Sequence, residues 1–302
     1  MIRNGLFFTL ALVWLGLYWR RLYTLAGLAL RSDAYSHILV IPLVSVAVIY
    51  WRRKRIFSEA RFDVPFALSF FCVGAFTCWF RLNYLAILSP SSELSLSILS
   101  FVIYIVGSFA LCYGSQALLV AAFPLLFSLL MVPIPAFALE KIIAALQHWS
   151  ADGSSIIFNV LGIPVHREGL VFDLPGVSII VAEECSGIRS TLALLITVLV
   201  AAQLSLKSNW RKLILLILVV PIAVAKNSIR IVTVTLLTTY VNRGFLDGRL
   251  HRNGGVLFFL LGFAVSMGFL KVLELWEQKV QCSSTLLENN SNNTLPETSS
   301  IR

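Results

Sequence analysis

Three residues far apart in the chain carry side chains that together suffice for acyl transfer. Cys185 lies in the polar stretch Val181-Ala182-Glu183-Glu184-Cys185-Ser186-Gly187-Ile188-Arg189-Ser190, between residues 177–182, which read as a strand, and the apolar run 191–206, which reads as a membrane helix. The first turn of such a helix leaves peptide N–H groups unpaired and adds about half a positive charge, so a thiolate there is stabilised. Arg230 sits inside the apolar sequence Ile229-Arg230-Ile231-Val232. A guanidinium near hydrocarbon costs at least a few kcal/mol unless it snorkels or faces a polar cavity, which marks it as a functional candidate. His251 precedes Arg252-Asn253-Gly254-Gly255 at the entry to the last apolar run. A thiolate attacks a carbonyl, an imidazole moves the proton and a guanidinium stabilises the developing negative charge. The plainer readings are a cysteine acting as a small hydrophobe and an arginine anchored at the interface.

Other residues compete for parts of this chemistry. Arg189 follows Cys185 by four residues, on the same helix face, and could stabilise the thiolate or pair with Glu183 or Glu184. Arg230 is preferred because the acidic pair gives Arg189 a structural partner. His37, in Ser32-Asp33-Ala34-Tyr35-Ser36-His37, stands at the mouth of the second apolar run, where histidine commonly serves as an anchor. Asp152 and Asp173 could serve a carboxylate hydrolase, and His148 with Asp152 spans one helical turn as a metal pair would. The chain has no His-Glu-x-x-His motif and no cysteine cluster, so neither a metal nor a cofactor is expected.

These groups must be positioned by membrane helices. Hydrophobic residues make up 58% of the chain and charged ones 13%, too little polar surface for a soluble globule of 302 residues. The mean hydropathy of +0.85 agrees. The expected fold is an all-α polytopic membrane protein. Apolar runs near residues 5–19, 36–51, 64–80, 94–112, 115–132, 187–206, 211–229 and 254–273 give about eight transmembrane helices. The first run is followed by Trp19-Arg20-Arg21 rather than small residues, so it reads as an uncleaved helix and not a signal peptide.

The formal charge of +9 does not indicate nucleic acid, because the basic residues are scattered between apolar runs. Arg52-Arg53-Lys54-Arg55 and the group Lys207, Arg211 and Lys212 read as cytoplasmic clusters. That orientation puts both termini inside and Cys185, Arg230 and His251 on the extracytoplasmic side. Lys and Arg divide about evenly overall, so the dense short clusters carry the assignment.

The fifth run ends in Pro133-Ile134-Pro135, which cannot continue a regular helix. An extracytoplasmic insertion follows, about residues 133–186. Residues 137–150 have the spacing of an amphipathic helix lying on the membrane surface. Residues 169–174 and 177–182 flank Pro175-Gly176 and read as a small β-hairpin, which could clip the loop or offer an edge to an extended peptide. Residues 282–302 are rich in Ser, Asn, Thr and Glu and read as a disordered cytoplasmic tail.

Glu184-Cys185-Ser186-Gly187-Ile188-Arg189, then Asn227-Ser228-Ile229-Arg230, then His251 with Gly254-Gly255, resemble the signature of the exosortase and archaeosortase family of integral membrane transpeptidases. Tyr35-Ser36-His37 and the Pro133-Ile134-Pro135 break resemble it too. The likeness spans most of residues 30–275, within a membrane domain of residues 1–281. Ile38 stands where many members have glycine, and the tail matches nothing in the family. The resemblance implies a bacterial inner-membrane cysteine peptidase or transpeptidase with its site on the extracytoplasmic side. Its partners would be exported proteins with a C-terminal sorting signal: a Pro-Glu-Pro-like motif, a membrane helix and a basic end. By this similarity Cys185 is the nucleophile, Arg230 the oxyanion or thiolate partner and His251 the general acid and base. Glu184, Arg189, Asn227 and His37 are secondary candidates. The thioacyl intermediate would pass to an unidentified acceptor amine or to water. The alternative is a membrane transporter or polysaccharide-export component with Arg230 and His251 lining its pathway.

Overall fold

A computed structural model describes residues 2–58, 60–84, 87, 89–174, 177–182, 186–241 and 255–293. The chain forms two compact units, residues 1–143 and 144–302. Among the described residues seven helices are long and apolar enough to cross a membrane, and one bent helix pair would make eight. The protein is thus an all-α polytopic membrane protein with a small β insertion.

The first unit contains α1 (Ile2–Arg31), a 3-10 turn (Asp33–Leu39) leading into α2 (Val40–Trp51), α3 (Arg53–Ile56), α4 (Val64–Asn83), α5 (Pro90–Val120) and α6 (Ala122–Phe127), followed by a 3-10 turn (Ser128–Met131) and the start of α7 (Ala136–Val160). Small residues bring α4 and α5 together. A β-carbon on Gly74 would lie 2.8 Å from the Tyr104 ring, and one on Gly107 would lie 3.1 Å from Phe70. Trp14 of α1 stacks on Tyr104 at 4.1 Å and donates its indole N–H to Ser108 Oγ at 3.0 Å. Arg21 and Arg81 converge on Glu93 in the first turn of α5.

The expected fifth span, residues 115–132, is not a straight helix. Gly114 has φ 84° and ψ 174°, which breaks α5, and a β-carbon there would meet the Arg61 carbonyl oxygen at 2.7 Å. The 61–63 segment runs alongside, with Arg61 N–H donating to the Tyr113 carbonyl at 3.2 Å and Asp63 N–H to the Leu111 carbonyl at 3.3 Å. Hydropathy cannot register such a break, because glycine at positive φ alters the backbone and not the apolarity. Residues 122–131 and α7 then form the bent pair, turned by 94° around Pro133-Ile134-Pro135. Ser95 Oγ donates to the Pro133 carbonyl at 2.7 Å, and Tyr35 Oη donates to the Ile134 carbonyl at 2.8 Å. Side chains therefore donate to carbonyls at the break between the two helices.

The second unit comprises the rest of α7, three strands and three long helices: α8 (Ile188–Ser205), α9 (Asn209–Tyr240) and α10 (Gly255–Asn293). The expected hairpin is a three-stranded antiparallel sheet, β1 (His166–Glu168), β2 (Val171–Leu174) and β3 (Val177–Ile180), in that order. The first strand escapes a sequence reading because His166-Arg167-Glu168 has no apolar alternation. Its register is fixed by Arg167 opposite Phe172 and by Gly169, whose φ of 62° suits the first position of a two-residue turn. The sheet packs Phe172, Leu174 and the following Val181 against Ala151 and Phe158 of α7 and Ile231 and Val232 of α9.

Residues Leu194, Val198 and Ala202 of α8 meet Leu215, Val219 and Ala223 of α9 at four-residue spacing, with Leu270 and Leu273 of α10 completing the core. At the α8–α9 turn, the Glu277 carboxylate of α10 accepts from Lys207 N–H at 3.0 Å, Ser208 N–H at 2.8 Å and Arg211 Nη1 at 3.0 Å. The α10 helix runs to Asn293, carrying helical backbone past Cys282 into the stretch whose composition reads as disordered.

Candidate functional site

The cysteine motif and the asparagine–arginine motif meet where α8 begins. Gly187 caps α8 in the left-handed conformation, φ 71° and ψ 15°. A β-carbon at this position would lie 2.9 Å from Asn227 Oδ1 and 3.1 Å from Asn227 Cγ, so only glycine admits both the conformation and the neighbour. Ser186, just before it, is buried, and its Oγ accepts from Ile188 N–H at 3.4 Å. Ser190, one turn on, donates to the Gly187 carbonyl at 3.0 Å.

Residues 226–228 of α9 form a polar seam joining three helices. Lys226, only 4% exposed, donates its ammonium to Ser190 Oγ of α8. Asn227, 2% exposed, covers Gly187 and donates Nδ2 to Ser150 Oγ of α7 at 3.0 Å. Ser228 Oγ donates to the Ser150 carbonyl at 3.0 Å, and Ser154 Oγ reaches the Ser228 carbonyl at 3.4 Å. Gly153 makes this approach possible, since a β-carbon there would overlap Ser228 Oγ. Small and hydroxylic residues at such a crossing let backbones approach and satisfy polar atoms inside the bundle.

The α10 helix joins at the same place. A β-carbon on Gly262 would meet Lys226 Cδ at 3.0 Å and Leu194 Cδ2 at 3.5 Å. This contact, with Glu277 at the far end of α8, sets α8 and α10 parallel. Gly187 lies about two turns, roughly 10 Å, above Leu194, and Gly255 lies as far above Gly262. The N-terminal ends of α8 and α10 therefore stand level at one end of the unit.

Arg230 is half-buried one turn beyond Asn227, towards that end of α9, and Arg189 is exposed in the first turn of α8. Neither stands free. Cys185, Glu184 and His251 lie outside the described residues. His37 is half-buried in the 3-10 turn of the first unit. The carboxylates of the rival hydrolase have structural partners: Asp152 pairs with Arg167 at 2.8 Å, and Asp173 accepts from Ser178. Among the described residues no cluster of three or more His, Cys, Asp or Glu side chains could hold a metal.

Sequence reasoning missed Lys226, Ser190, Ser150 and Gly153. Lys226 had a signal: like Arg230, it is a cation inside an apolar run. The serines and the glycine had none, because their part depends on which helices cross.

The transmembrane exosortase family model (Exosortase_EpsH) matches residues 19–268. The chain belongs to the transmembrane exosortase family. Comparisons with curated proteins and with solved structures gave no match. Exosortases are membrane enzymes of the protease and transpeptidase type that process exported proteins, and the matched region contains every motif at the α8 end of this family member.

Proposed function

We propose that this exosortase cleaves the C-terminal sorting signal of exported proteins through a thioacyl intermediate on Cys185 and transfers the product to an acceptor. The observation that carries this reading is the contact between Gly187 and Asn227, which joins the cysteine motif to the arginine motif at one helix end. Cys185 is tethered two residues from Gly187, a reach of about 7 Å at most. Arg230 rises one turn above Asn227, about 5 Å. His251 precedes Gly255 by four residues in the chain, and Gly255 begins α10 at the end level with Gly187.

In this mechanism the Cys185 thiolate attacks the scissile carbonyl carbon, and Arg230 holds the oxygen as it takes up the electron pair. The C–N bond breaks as protonated His251 gives its proton to the departing amine. An acceptor amine or water then attacks the thioester, passes its proton to His251 and expels the thiolate. Glu184, Arg189, Asn227 and His37 are supporting candidates, with Asn227 buried against the nucleophile's helix cap.

The substrate signal is a Pro-Glu-Pro-like motif followed by one membrane helix and a basic end. The enzyme resides in the bacterial inner membrane with its site on the extracytoplasmic side. Lys207, Arg211 and Lys212 stand at the α8–α9 turn, opposite the Gly187 end, which supports that orientation under the positive-inside rule.

Co-expression with a tailed exported protein tests the reading. Wild type is expected to shorten the substrate, and Cys185→Ala and Cys185→Ser to leave it uncut while remaining in the membrane. Processing that survives Cys185→Ala would overturn the cysteine mechanism, and a substrate left uncut by the wild type would favour the transporter alternative.

A further inference from the structure

Lys226 is a buried ammonium that the proposed mechanism does not use. It lies inside a membrane-spanning helix, and burying a cation there is costly unless the position needs it. Its stem passes Gly262 of α10, where a β-carbon would press on Lys226 Cδ at 3.0 Å, and its Nζ donates to Ser190 Oγ. Ser190 in turn donates to the Gly187 carbonyl at 3.0 Å. The ammonium is thus coupled, through one hydroxyl, to the residue that caps α8. Asn227, the next residue on α9, covers that cap from the side.

We propose that Lys226 is a positioning residue for the Cys185 thiolate, fixing the first turn of α8 through Ser190 and holding positive charge beneath it. This rests on Cys185 being the nucleophile. A neutral side chain of similar length would fill the space beside Gly262 and yet supply neither the hydrogen bond nor the charge. The helix terminus already favours an anion, and a cation buried in a low-dielectric setting adds to that field. Other charged or titratable groups on the packed elements are Arg230 of α9, Arg189 of α8 and the exposed His148 and Asp152 of α7, with Glu140 and Lys141 near the start of α7 and Arg211 and Lys212 at the start of α9. The α10 helix carries no charge from Gly255 to Leu270.

The test is the pH dependence of Cys185 alkylation by iodoacetamide, read by mass spectrometry on the purified full-length protein, which requires no substrate. Lys226→Met should move the alkylation midpoint up by about one pH unit, a tenfold loss of thiolate at neutral pH. Lys226→Arg should restore most of it. Ser190→Ala should move it in the same direction by less, and it stands in for Lys226→Met if that variant fails to reach the membrane. Midpoints unchanged in both Ser190→Ala and a folded Lys226→Met would overturn the proposal, since a purely structural lysine would not alter the midpoint. Because alkylation does not depend on processing, a Cys185→Ala enzyme that still cut substrate would refute the nucleophile while leaving this measurement to be read separately.

Discussion

Asn227 Oδ1 stands 2.9 Å from the point where a β-carbon on Gly187 would be, so the asparagine closes over the helix cap next to the cysteine motif. Gly187 also has φ 71°, which L side chains adopt at a cost of roughly 1–2 kcal/mol. Gly187→Ala combines strain with collision. Its expected result is membrane-inserted protein that processes a tailed substrate at least tenfold more slowly, measured by pulse-chase of the substrate.

Gly153 and Ser228 form a second close pair, across α7 and α9, in which the glycine leaves room for the hydroxyl. Gly153→Val should lower the thermal unfolding temperature in detergent, and Gly153→Ala should do so by less. Adding Ser228→Gly to Gly153→Ala should recover part of the loss, because it removes the colliding atom. A double variant no more stable than Gly153→Ala would show that the crowding lies elsewhere.

Asn227→Ala would leave Ser150 Oγ without its buried donor. The expected loss is about 1–2 kcal/mol of stability, with a larger loss of processing than of membrane abundance. Asn227→Asp should fare no better in stability, because the Ser150 hydroxyl could donate to the carboxylate but a charge would then be buried at this position. Denaturant unfolding beside a processing assay separates the two effects.

Glu277 is 5% exposed and accepts three hydrogen bonds at the α8–α9 turn, one from Arg211. Glu277→Ala should cost about 3 kcal/mol, since it strands a mostly buried guanidinium. The exposed pair of Lys271 and Glu274 is the control: Glu274→Ala should change stability by less than about 1 kcal/mol. Equal losses in the two variants would mean that Glu277 does not pin the turn.

The amino-acid sequence alone determined the fold class and most spans, because apolar runs about 20 residues long can be satisfied in lipid only as helices. It also exposed Arg230, since an isolated cation in such a run is conspicuous, and it carried the family through Glu184-Cys185-Ser186-Gly187 and Asn227-Ser228-Ile229-Arg230. Tertiary structure decided what those motifs lie against. The break at Gly114 depends on φ, the strand His166–Glu168 on pairing with Val171–Leu174, and the seam of Ser150, Gly153, Ser190 and Lys226 on which helix faces cross. None of these leaves a periodic trace, because a serine or glycine has the same hydropathy whether it faces lipid or a helix neighbour. Only packing distinguishes the two, by removing the space for a β-carbon or supplying the partner for a hydroxyl.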